Sequence, residues 1–172
     1  MKLDDDDFTL FGLTPRFGID RQELDVRWRA LQSRVHPDRF ASEGPSAQRL
    51  AMQWAVRVNE AYRRLREPLT RAAYLCALRG VPVEAERNTA MPQAFLLQQM
   101  AWREALDEAE AAPQVEALDL EVAQQEKLLL DELGCHLDDR PDLQAAADAV
   151  RALMFLSRFR ADLQRRVQSL ET

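Results

Sequence analysis

His36, Pro37 and Asp38 stand side by side in this chain of 172 residues, and they are its most chemically suggestive group. An imidazole and a carboxylate two residues apart can pass a proton as general acid and base. They can equally bind, because a carboxylate takes charge-assisted hydrogen bonds from an arginine on another protein. The proline between them fixes its own backbone angle, so both side chains project from a stiff turn. Taken alone, the same three residues also make an ordinary helix-ending turn. As a hydrolytic dyad, His36 and Asp38 lack a plausible nucleophile. Cys135 and His136 form one adjacent pair, two ligands where a structural zinc needs four. Cys135 reads as a helix-end residue and Cys76, on an apolar helix face, as core. The sequence has neither a Gly-rich phosphate loop nor a nucleophile elbow. The expectation is a protein without metal or cofactor that is not itself an enzyme.

The elements that must hold these residues follow from composition and punctuation. Five glycines and eight prolines are few breakers for this length, and 47% of residues are hydrophobic, which favours long helices over a many-turned β fold. There are 23 Lys plus Arg against 29 Asp plus Glu, a net charge of −6. That is a poor footprint for nucleic acid. No apolar run approaches the roughly 20 residues of a membrane-spanning helix. Met1–Leu3 runs straight into Asp4–Asp7, unlike a secretory or transit segment, and the two cysteines lie far apart. Together these features predict a cytoplasmic protein.

The charge is unevenly spread. Residues 21–90 hold 13 cations and 8 anions, a net +5, whereas residues 91–139 hold 2 cations and 12 anions, a net −10. The separation suits an adaptor that meets two different partners.

Phe8, Leu10, Phe11 and Leu13 predict a short apolar helix whose N-terminal dipole is complemented by solvent-exposed Asp4–Asp7. Asp20, with Glu23 three residues on, reads as a capping box. Leu24, Trp28, Leu31 and Val35 then draw one helix face up to Pro37. A third helix begins near Ser46 and buries Trp54, Val58, Ala61, Tyr62 and Leu65. A fourth starts at Pro68, runs through Ala72, Leu75 and Leu78, and stops at Gly80 and Pro82. Three more helices are expected near 91–110, 113–133 and 141–170, with Gly134 as a C-terminal cap and Asp139 as a start. The chain is therefore predicted to be all-α.

The context of His36-Pro37-Asp38 is what makes it informative. Phe8-Thr9-Leu10-Phe11-Gly12-Leu13 precedes it and Arg39 follows it. Asn59-Glu60-Ala61-Tyr62-Arg63-Arg64-Leu65, Pro68 and Arg71-Ala72-Ala73-Tyr74-Leu75 come after. The succession resembles the J-domain of DnaJ-type co-chaperones over residues 8–75. The resemblance implies a hairpin of the second and third helices with the tripeptide at its tip, docking on a DnaK-type chaperone and stimulating that chaperone's ATP hydrolysis. Arg27, Arg29 and Arg34 offer a cationic approach surface, although a solvated helix face is the plain alternative for each. Asp25 and Ala30 stand where basic residues are common in J-domains, which favours a dedicated chaperone.

The helix near Pro92 has apolar residues on two sides. Phe95, Trp102, Leu106 and Ala109 fall within about 60° of one another at 100° per residue, a natural core seam. Leu96, Leu97, Met100 and Ala101 lie on the other side and continue into Glu104, Asp107 and Glu108. In so short a bundle, exposure of that second side is the favoured reading. In the last helix Ala149, Leu153, Leu156, Leu163 and Val167 share a face, and Phe155 points nearly opposite, as an off-core aromatic able to complete the same patch.

Phe8–Leu13, the loop His36-Pro37-Asp38-Arg39-Phe40 and the run from Phe95 to Glu108 resemble the HscB family, the J-type co-chaperones of iron–sulfur cluster assembly. The similarity implies residues 1–80 as J-domain, 81–90 as linker and 91–172 as a three-helix bundle. It further implies that the bundle binds the scaffold IscU through Leu96, Leu97, Met100, Ala101, Glu104, Glu108 and Phe155. Ala101 stands where an acid can occur in that family. The J-domain would carry the complex to the specialised chaperone HscA. The alternative is a J-domain adaptor for a different client.

Overall fold

The computed structural model describes residues 2–84 and 91–171, which contain helices and turns but no strand. Seven α-helices follow in order: α1 (Asp7–Phe11), α2 (Arg21–Val35), α3 (Pro45–Arg66), α4 (Pro68–Leu78), α5 (Gln93–Glu108), α6 (Ala112–Gly134) and α7 (Leu143–Leu170). The chain divides into two compact units, Met1–Leu75 and Cys76–Thr172.

In the first unit α2 and α3 form an antiparallel hairpin, and α1 packs on both. Asp20 caps α2 by accepting from the N–H groups of Gln22 and Glu23 at 2.8 and 3.3 Å. Glu23 does not close the expected capping box; it pairs with Arg27 one turn on, at 2.6 Å. The predicted faces are buried, with Leu24, Leu31 and Val35 of α2 meeting Val58, Ala61 and Leu65 of α3. Trp28 and Tyr62 stack across the hairpin with ring centroids 4.3 Å apart. Each ring also satisfies its polar atom, Trp28 Nε1 donating to Asn59 at 3.0 Å and the Tyr62 hydroxyl to Asp25 at 2.8 Å. Burial pushes the Tyr62 phenol up, with the Asp25 hydrogen bond and charge adding to it, so the phenol remains the donor.

The acidic N-terminus differs from its reading as exposed capping charge. Asp6 does cap α1, accepting from Thr9 N–H at 3.0 Å and Thr9 Oγ1 at 2.5 Å. Asp7, however, is fully buried. Its carboxylate is held by Arg57 at 2.8 Å and Arg64 at 3.3 Å, both on α3. Its backbone N–H donates to the Tyr74 hydroxyl of α4, whose ring packs on Phe8. A carboxylate taken out of water needs such cationic partners to offset lost hydration.

The second unit starts inside α4, several residues before the expected linker at 81–90. Cys76 is buried, as anticipated, and burial pushes its thiol up. Leu78, the last residue of α4, is exposed. Arg79 donates to the Leu137 carbonyl at 2.5 Å and Arg151 to the Val83 carbonyl at 3.0 Å. Residues 81–84 are thereby tied to the bundle, and the remainder of the expected linker, 85–90, lies outside the described residues. The bundle itself is α5, α6 and α7. Gly134 does not end α6 as a left-handed cap; its backbone is right-handed helical, and the helix widens into a π turn at Cys135–Asp139. The start of α7 is capped by Asp142, which accepts from Ala145 N–H at 3.0 Å, and not by Asp139. Arg160 of α7 clamps α6 through Asp119 at 2.9 Å and Glu126 at 2.7 Å.

Substituting Asp7→Ala leaves Arg57 and Arg64 facing a hole where their shared carboxylate was. Because both arginines keep some access to water, the expected loss of stability is about 2 kcal/mol, below the full cost of breaking a buried pair. Urea unfolding followed by circular dichroism measures it, and an unchanged midpoint would show that the pairing contributes nothing.

Candidate functional site

Two surfaces stand out, one on each unit. The first is the tip of the hairpin. Pro37 prevents α2 from continuing, so His36 takes an extended backbone and Pro37–Phe40 wind into a single 3-10 turn. His36 Nδ1 lies 3.3 Å from the Asp38 N–H, closing the turn locally. The Asp38 carboxylate reaches Nδ1 at 3.5 Å, and its side chain is 90% exposed, against 55% for His36. Arg39 bonds back to the Ser33 carbonyl at 3.3 Å, bracing the turn against the end of α2. An imidazole and a carboxylate this open to water lack the water-excluded setting in which acid–base catalysis is efficient. What the turn presents is an exposed carboxylate beside an imidazole, and a partner's cation can donate to that carboxylate.

The three arginines assigned to the approach surface are not equivalent. Arg29 and Arg34 are exposed on α2, and Arg34 sits in its last turn, where a cation favours the helix dipole. Arg27, with a side chain 40% exposed, also bonds within the fold. Its Nη1 donates to the carbonyls of Phe11 and Gly12 at 2.8 and 2.9 Å, while Nε and Nη2 hold Glu23. Gly12 ends α1 in the left-handed region, φ 65°, and a Cβ there would meet Arg27 Nη1 at 2.9 Å. Arg27 therefore fastens α1 to α2. Asp25, the departure from a basic position, is likewise turned to an internal partner, Tyr62.

The second surface is the outer face of α5. Leu96, Leu97 and Met100 are 42%, 60% and 68% exposed, and Ala101, Glu104 and Glu108 are exposed beside them. The inner face packs as expected, with Trp102 and Ala109 buried and Phe95 and Leu106 partly so. Trp102 Nε1 donates to Glu121 of α6 at 2.9 Å.

Phe155 overturns its expected exposure. It is 7% exposed, stacked on Phe159 at 5.8 Å and edge-on to Phe95 at 5.9 Å. The Arg103 guanidinium lies 5.4 Å from its ring centroid. The residue that points away from the rest of α7's core face points at α5 instead, because α5 supplies a second wall. Phe155 is thus a foundation of the patch and not part of its outer surface. Arg103 is a residue of this region that sequence reasoning missed, and no periodicity links it to a ring 52 positions away. Cys135 is exposed in the π turn, and among the described residues no cluster of three metal-ligating side chains is present.

A helical hairpin carrying His-Pro-Asp at its tip, followed in the same chain by a three-helix bundle, defines the J-type co-chaperone class. The family model described as the HSCB C-terminal oligomerisation domain matches residues 91–164. A co-chaperone protein HscB homolog of Burkholderia multivorans is 50% identical, over 100% of this chain and 99% of the relative. The chaperone HscB from Vibrio cholerae superposes with a TM-score of 0.82 at 33% identity, covering 96% of this chain and 99% of that one. Human co-chaperone protein HscB gives a TM-score of 0.89 at 25% identity, over 96% and 84%. This chain belongs to the HscB family of co-chaperones.

The burial of Phe155 has a measurable consequence. Phe155→Ala is expected to destabilise the protein by about 3 kcal/mol, the cost of a cavity under two aromatic neighbours. Leu97→Ala removes only a water-exposed side chain and should stay within about 0.5 kcal/mol of wild type. Paired denaturant titrations distinguish the two; equal effects would contradict this division between foundation and surface.

Proposed function

We propose that this protein is a co-chaperone of iron–sulfur cluster biogenesis that couples two other proteins. Its bundle binds an IscU-type scaffold, and its J-domain presents that scaffold to an HscA-like, DnaK-type chaperone in the cytoplasm, whose ATP hydrolysis the His-Pro-Asp turn stimulates. The protein performs no catalysis itself and carries no cofactor; the cluster is cargo on the scaffold.

The observation that carries this reading is the pairing of two exposed surfaces with opposite surroundings. His36, Pro37 and Asp38 sit on a unit rich in arginine, with Arg29 and Arg34 nearby. Leu96, Leu97 and Met100 sit on the acidic segment, edged by Glu104 and Glu108, with Ala101 leaving a small neutral step among them. An apolar centre with an acidic rim suits a basic-apolar surface on the scaffold. Phe155 supports the patch from below and is assigned no direct contact, and Arg27 supports the hairpin. Coupling of the two events in one chain is a linkage of binding free energies.

Turnover of ATP by an HscA-type chaperone, measured with each component alone and together, tests the first half. This protein and the scaffold should stimulate jointly, and Asp38→Asn should abolish the stimulation without changing helicity. Stimulation that survives Asp38→Asn, or that ignores the scaffold, sinks the proposal; the second outcome points to a different client. For the second half, the triple change of Leu96, Leu97 and Met100 to Ala should weaken scaffold binding by at least about tenfold, as calorimetry would read it.

A further inference from the structure

Midway along α3, two large apolar side chains are turned to solvent. Met52 and Val56, one turn apart, are 58% and 57% exposed. They lie opposite the core face formed by Ala51, Val58, Ala61 and Leu65, so the packing of the hairpin does not cover them. Arg49, Gln53, Glu60 and Arg63 continue the same exposed face. Arg49 donates to the Pro45 carbonyl at 3.4 Å, within the first turn of α3, and stays at the surface. An apolar centre with an arginine at either end is the counterpart of the outer face of α5. There Leu96, Leu97 and Met100 are edged by Glu104 and Glu108. One chain thus carries two open apolar faces whose charged edges attract each other.

We propose that the α3 face of one copy docks on the α5 face of a second copy, a head-to-tail contact that the scaffold must displace. The inference rests on the reading of the α5 face as the scaffold's surface. The helical repeat fixes the pairing. With the helices antiparallel, Val56 meets Leu97, Met52 meets Met100 and Ala101, and Arg49 meets Glu104, while Glu60 falls beside the neutral Gln93. With the helices parallel, Met52 by Leu96 and Val56 by Met100, Glu60 is set against Glu104, two like charges. The antiparallel arrangement is therefore the one whose charges agree. The uneven charge of the chain points the same way. Residues 21–90 sum to +5 and residues 91–139 to −10, which favours contact between unlike units and opposes pairing of two bundles. A single pair of helix faces is smaller than a standard interface, so the dissociation constant is about 10 µM or weaker. A tighter partner displaces such a contact, which keeps the apolar patch covered until the scaffold arrives.

Sedimentation velocity of the full-length protein, from micromolar to submillimolar concentration, tests the contact. The average sedimentation coefficient should rise with concentration, and the rise should fade in high salt. Arg49→Glu and Glu104→Arg should each weaken self-association about fivefold or more, and the two changes in one chain should restore it. Adding an IscU-type scaffold should break the assemblies into complexes that hold one copy of this protein. A protein that is monomeric at every concentration overturns the proposal. So does an assembly indifferent to Arg49→Glu, or one that the double exchange fails to restore. Assemblies that persist with scaffold bound refute the shared patch. Calorimetry of Arg49→Glu with the scaffold reports separately on the co-chaperone reading: absence of binding there overturns that reading, while the contact between copies is still read without scaffold. If circular dichroism shows that an exchanged variant does not fold, methyl resonances of the unaltered protein decide. Contacts between Met52 of one copy and Met100 of another support the pairing, and methyl resonances independent of concentration refute it.

Discussion

The arrangement of the second unit depends on one aromatic column. Phe95 of α5 is edge-on to Trp102 of the same helix and to Phe155 of α7, and Phe159 of α7 stacks on both Trp102 and Phe155. Rings of this size bury more apolar surface than any other side chain on α5, so they decide which way that helix turns. Once Trp102 is inside, the geometry of 3.6 residues per turn places Leu96, Leu97 and Met100 in water. The exposed patch is therefore a consequence of the core and not an independent decoration. Arg160, reaching from α7 to Asp119 and Glu126, holds the neighbouring helix in the same frame.

The first unit solves a different problem, holding a short turn rigid at the end of two long helices. The Trp28–Tyr62 stack and its two hydrogen bonds set how α2 lies on α3. Arg27 and Asp7 fix α1 against that pair from opposite ends, one through carbonyl oxygens and the other through a buried ion pair. The charged groups nearest the hairpin's interior are thus structural, while His36 and Asp38 at its tip remain open.

Much of this was legible beforehand. The order and type of all seven helices followed from apolar spacing and from the prolines that open or stop them, because those signals act within a few residues. The exposed face of α5 was legible for the same reason: a helix apolar on two sides cannot bury both in a bundle of three. The His-Pro-Asp turn was legible through the order of segments around it.

The misreadings share a cause. Phe155 and Asp7 were each assigned from their own helix, yet each is placed by a partner distant in the chain, Phe95 and Arg57. By itself the sequence determined the helices, their amphipathic faces, the separation of charge and the tripeptide that announces a J-domain. Only the tertiary structure decided which polar groups were spent on the fold and which aromatic lay under the patch. Burial and ion pairing are set by what arrives from elsewhere in the chain, and periodicity within one helix carries no record of that.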